Sequence, residues 1–222
     1  MKDPPLSYQP YLDQLIAFAS AEPRKPELLA AKAEYFQLTG EVFEDDKSFE
    51  MRMASFLDFY LFDRKHPMAG KTPAEEFYEQ KVHAVSAEEA SAFRSFTETL
   101  HGLFEMRKAG GKTLRLRELF SAKDYDVTER RQMAGLEKGD ILEARLIPLQ
   151  GHLLFSGAFC YHPKLVSKLI RQEVKRRKNG ADANPQAFAW ECAKRALQVD
   201  RYRQIAVEKI YDFQSPSVLA RS

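Results

Sequence analysis

The chain has 222 residues and a mass of 25.5 kDa, with 44% hydrophobic and 12% aromatic residues, enough to bury one good core or two modest ones. No run approaches the roughly 20 apolar residues that span a bilayer, and the opening MKDPPLSYQP has neither the charged nor the apolar segment of a secretory leader. The two cysteines, Cys160 and Cys192, are too isolated for a disulfide framework or a zinc cluster, so the expectation is a cytoplasmic globular protein with no membrane span.

Net charge is only +2, yet residues 1–100 carry 11 Lys and Arg against 18 Asp and Glu, whereas residues 101–222 carry 23 against 14. The balances of −7 and +9 mean that the halves either complement each other or offer different surfaces to partners.

Residues 1–100 read as a helical region. Segments 10–20 and 26–38 are short and amphipathic, the second closed by Gly40 as a left-handed cap. Ser48 is a candidate cap for a helix in which Phe49, Met53, Phe56 and Tyr60 recur at helical spacing. Leu57, Phe59, Leu61 and Phe62 widen its apolar surface, so this helix should be central. Thr72-Pro73-Ala74-Glu75 and Ser86-Ala87-Glu88-Glu89 are capping boxes that predict helices over about 73–83 and 87–100.

At residue 101 the period changes from helical to alternating. LFEMRKAGGKTLRLREL reads as a hairpin around Ala109-Gly110-Gly111, with Leu114 and Leu116 on one side and Thr113, Arg115 and Arg117 on the other. Further strands are expected at 125–129, 140–149 and 153–161, the last two joined at Gln150-Gly151. Five short strands over 101–162 point to a small antiparallel barrel or curled sheet. Residues 163–222 read as two C-terminal helices, the second starting at Asn184-Pro185 and running to about Tyr211. The fold class expected is therefore α+β.

The first C-terminal helix, KLVSKLIRQEVKRRK, carries seven basic side chains and one acidic one. Lys164, Lys168, Arg171, Lys175 and Lys178 fall within an arc of about 80°, opposite Leu165, Val166, Leu169, Ile170 and Val174. A solvated face ordinarily mixes signs, and here only Glu173 offers a pair, from the wrong side. The stripe is a candidate anion-binding surface, together with the barrel arginines Arg115, Arg117, Arg130, Arg131 and Arg145.

The cadence GLEKGDILEARLIPLQGHLLFSGAF, a Gly-Asp turn followed by two long strands, resembles the second half of a PilZ domain, the bacterial cyclic di-GMP receptor barrel. The RxxxR arm and the D/N-x-S-x-x-G strand of that family do not occur in this sequence, so the resemblance implies barrel topology and carries no binding residues. FLDFYLFDRKHPMAGKTPAEEF with its β-rich sequel resembles a group of uncharacterised bacterial proteins, which implies no function.

Catalytic signals are weak. The five histidines, at 66, 83, 101, 152 and 162, show no paired metal spacing, and Cys160 with His162 supplies two ligands only, so no metal, cofactor or catalytic residue is assigned. Asp58 and Asp63 with His66 form the best acid/base cluster. The expected function is non-catalytic: binding of another protein as an adaptor. The alternatives are nucleic-acid or anionic-nucleotide binding through the stripe and barrel arginines, and an enzyme of unknown class. An adaptor needs an exposed apolar patch, a phosphate binder an exposed stripe continuous with the barrel arginines, and an enzyme a deep pocket with carboxylates.

Overall fold

A computed structural model describes residues 6–128, 136–180 and 183–214. Five helices come first: α1 (Gln9–Ala19), α2 (Lys25–Thr39), α3 (Phe49–Phe62), α4 (Pro73–Lys81) and α5 (Ala87–Ser95). Both capping boxes form, with the Thr72 and Ser86 hydroxyls accepting from the Glu75 and Glu89 amides and each glutamate reaching back to the cap amide. Gly40 ends α2 at φ +87°, where only glycine is unstrained. Ser48 makes no side-chain cap. Helix α5 stops at Ser95 rather than near 100 because Phe93 and Phe96 are both buried and the chain must turn into the first strand.

Among the described residues five strands follow: β1 (Leu100–Gly110), β2 (Thr113–Glu118), β3 (Asp124–Thr128), β4 (Ile141–Leu149) and β5 (His152–Tyr161). They close into a ring in the order β1-β2-β3-β5-β4. Closure leaves no free sheet edge. All pairs are antiparallel except β3 with β5, which run parallel. The turn between β1 and β2 uses Gly111 at φ +60°, as the expected hairpin around Ala109-Gly110-Gly111 requires.

The chain then returns to helix in α6 (Ser167–Lys178), α7 (Pro185–Arg201) and the short α8 (Val207–Ile210). Asn184 caps α7 through the Ala187 amide. The single long helix expected from Pro185 to Tyr211 is instead broken after Arg201. The Arg195 guanidinium donates to the carbonyls of Ile210 and Asp212, which folds the end of the chain back so that Tyr211 is buried.

Four apolar cores result among the described residues, the smallest around Ala92, Leu149 and Leu154. One lies among α1–α5 around Tyr35, Phe59, Tyr60 and Phe93. One fills the barrel with Phe104, Leu116, Leu142, Leu146 and Phe155. Another joins barrel to C-terminal helices through Leu103, Ile141, Ile170 and Phe188. Strand β4 is buried on both faces, because its inward residues fill the barrel while Ile141, Glu143, Arg145 and Ile147 lie beneath helices.

A cationic face and a buried polar seam

Helix α6 is held by its apolar side: Ile170 and Val174 are buried, as is Val166 in the turn that leads into it, and Lys168, Arg171, Lys175 and Lys178 are exposed. Basic residues in its last turn are favourable against the carbonyl end of the helix dipole. Glu173 is buried and pairs with Arg176 and Arg177, which holds its carboxyl below the usual range and leaves the stripe without an acidic partner on its own helix. The stripe's ion pairs come from the barrel. Lys164 meets Glu137 and Asp140, and Arg171 Nη1 lies 3.5 Å from Glu105 Oε1. Lys168, Lys175 and Lys178 have no ion pair among the described residues. Among the described residues, the acidic half of the chain does not cover the stripe.

Glu105 links the helix to the barrel wall. It also lies 3.2 Å from Arg107 Nη1, and it sits opposite Arg117 across the β1–β2 pair. On β2 and β3, Arg115 and Arg117 each make a two-pronged contact to Asp126 and Asp124, at 2.7–3.1 Å. These pairs lower the aspartate pKa values and stand exposed on the outer surface. The cations thus form one surface, with a groove of about 340 Å³ at its helical end lined by Leu119, Arg171, Val174, Lys175, Lys178 and Asn179. Arg130 and Arg131 lie outside the described residues.

Arg145 does not belong to this face. It is 3% exposed, bonds Asp63 and Thr99, and has Nε 3.6 Å from Asp58. Desolvation raises the Asp58 carboxyl above its ordinary pKa, opposed by the Arg145 charge. His66 stands apart from these aspartates: its Nδ1 accepts the Met68 and Ala69 amides, and its Nε2 is 3.5 Å from Glu27. The histidine that completes the cluster is His101, whose Nε2 bonds Glu143 Oε1 at 2.8 Å. The cavity among Asp58, Asp63, His101, Glu143 and Arg145 holds about 10 Å³, room for one water and no substrate.

The seam continues from Glu143 to β5. Glu143 stands opposite Cys160, and one ligand-capable atom from each of Glu143, Cys160 and His162 lies within 4.8 Å of the other two. Glu143 Oε2 and His162 Nε2 are buried without a hydrogen-bond partner. Burial pushes the Cys160 thiol up to about 12 and the His162 imidazole down to about 4. Sequence reading gave two ligands here and missed Glu143. Counting back from the Gln150-Gly151 turn, where Leu149 pairs with His152, places Glu143 opposite Ala158. A register shift between Ala144 and Leu146 moves its partner to Cys160.

Among the described residues, no helix is long and apolar enough to cross a membrane. No curated protein and no solved structure matches the chain. Residues 26–191, about three quarters of the chain, match the family of unknown function DUF7986, and the protein belongs to that family.

Proposed function

We propose that the protein is a non-catalytic, cytoplasmic nucleic-acid binder that holds the phosphate backbone along the outer face of β1–β3 and helix α6. The observation that carries this reading is continuity: Arg171 on α6 reaches Glu105, which is shared with Arg107 and lies opposite Arg117, so the helical stripe and barrel arginines form one exposed surface. Eight cations on it, Arg107, Arg115, Arg117, Lys164, Lys168, Arg171, Lys175 and Lys178, exceed the five carboxylates Glu105, Asp124, Asp126, Glu137 and Asp140. Small barrels use such a face for oligonucleotides, which is support by architectural analogy.

Binding here is led by phosphate contact and counterion release, with little dependence on base sequence. The three unpaired lysines are the first to meet the strand. The arginines exchange their aspartate partners for phosphates with a smaller net gain. The adaptor reading has less support, since the exposed large apolar side chains Leu29 and Leu38 on α2, Phe43 and Met68 in loops, Tyr161 at the end of β5 and Leu165 ahead of α6 are distributed along the chain. The enzyme reading has less still, because the cavity beside the expected acid/base pair Asp58 and Asp63 has room for one water.

Fluorescence anisotropy with labelled single- and double-stranded DNA and RNA tests this. Wild type is expected to bind at low salt, and Lys168→Glu/Lys175→Glu/Lys178→Glu to lose at least tenfold in affinity. Absence of binding at low salt, or equal binding by the triple variant, overturns it.

A further inference from the structure

We propose that Glu143, Cys160 and His162 form a binding site for a zinc-class divalent cation. The site is separate from the cationic face and stands on its own geometry. One carboxylate oxygen, one thiolate sulfur and one imidazole nitrogen are the donor types zinc takes, and three protein ligands leave a fourth position open. One ligand atom from each already lies within 4.8 Å of the other two, Glu143 being on β4, Cys160 on β5 and His162 just past its end.

The surrounding hydrogen bonds choose which atoms face the cation. His162 Nδ1 meets Tyr211 Oη at 2.9 Å, and Tyr211 Oη reaches the Cys192 carbonyl at 3.5 Å. With the tyrosine hydroxyl donating to that carbonyl, its oxygen accepts from Nδ1–H. The imidazole is then the tautomer whose lone pair sits on Nε2, the nitrogen that has no partner. Glu143 is oriented in the same way: Oε1 is engaged by His101 Nε2 and Oε2 is left without one. Two buried side chains thus each present a single unpartnered atom, with the outer bond that metal ligands characteristically have. An unfilled arrangement of this kind costs stability, since each such atom is desolvated with nothing in return.

Cys160 is the half-buried member, and it lines a groove of about 320 Å³ between α3, β5 and α7. This groove is the entry path for the cation and the place from which water fills the fourth position. On binding, the thiol proton leaves Cys160 for solvent and the S–metal bond forms; no electron is transferred. Thiolate and carboxylate together carry −2, which balances the dication in a buried site. The Arg52 guanidinium also lines the groove but is engaged by the Thr39 carbonyl.

The experiment is a titration of chelator-stripped full-length protein with Co²⁺ alone, followed by absorption and by calorimetry in two buffers of different ionisation enthalpy. One equivalent of Co²⁺ with a thiolate charge-transfer band, displaced by Zn²⁺ and accompanied by release of one proton, is the expected result. Cys160→Ser should lose the band and Cys192→Ser should keep it. Tyr211→Phe should keep the band with affinity lowered by about 10–100-fold. No charge-transfer band in wild type, or a band that survives in Cys160→Ser, overturns the site. The wild-type titration decides by itself should a variant prove unfolded by circular dichroism.

Discussion

Strands β2 and β4 carry the same sequence pattern and end in opposite environments. Each alternates apolar residues with charged ones: Leu114 and Leu116 with Arg115 and Arg117 on β2, Leu142 and Leu146 with Glu143 and Arg145 on β4. The apolar set fills the barrel in both. The charged set of β2 meets water and Asp124 and Asp126, whereas that of β4 lies beneath helices and meets Asp58, Asp63 and His101. Alternation fixes which side of a strand faces the core, and only the covering elements decide whether the other side is wet. An arginine on β2 is consequently free to meet a ligand, while one on β4 is committed to the fold.

The strongest way to break this comparison is Arg145→Met, which leaves Asp58 and Asp63 buried without their counter-charge. The cost of a broken buried pair is about 3–5 kcal/mol, and for a chain of this size it should lower the thermal midpoint by roughly 10 °C. A midpoint unchanged in a differential scanning calorimetry run would mean the β4 face is as wet as that of β2. Next is Tyr211→Phe, which takes the hydroxyl from His162 Nδ1 and leaves that atom buried and unpaired; urea denaturation should register a loss of about 1–3 kcal/mol.

Glu173 sharpens the comparison on α6, where one buried carboxylate holds Arg176 and Arg177 beside exposed, unpaired lysines. Its folded pKa is depressed below the ordinary 4.5, so the unfolded state binds more protons as acid is added. Its stabilisation is full above about pH 4.5 and is lost as pH falls through the folded value. Glu173→Gln should therefore cost on the order of 1 kcal/mol at pH 7, Arg176 being half exposed to water, and the gap to wild type should close below pH 4.5. A gap that stays constant with pH would show that packing, not charge, is what Glu173 supplies. The smallest expected effect is that of Arg115→Ala/Arg117→Ala: no measurable change in the unfolding midpoint, since exposed pairs on β2 contribute little to stability.

What was legible in the sequence was local. Both capping boxes, Gly40 and the Gly110-Gly111 turn follow from chemistry within a few residues, and the structure forms each of them. The end of α7 was not legible, because Arg195 breaks the expected helix by capturing carbonyls 15 and 17 residues away. Arg145 was misplaced on the ligand face for the same reason: its burial depends on Asp58 and Asp63, more than 80 residues earlier. His101 displaced His66 beside the aspartates through strand β1, which no helical spacing near residue 60 encodes. Glu143 joined Cys160 and His162 only through a register shift that the turn does not announce.

The most direct test of the account is the slope of log affinity against log salt for single-stranded nucleic acid, measured for wild type and for Lys168→Ala/Lys175→Ala/Lys178→Ala. Each phosphate neutralised contributes about 0.7 to the slope, so the triple variant should be shallower by roughly 2. A variant slope equal to that of wild type would contradict the claim that the unpaired lysines of α6 hold the phosphate backbone.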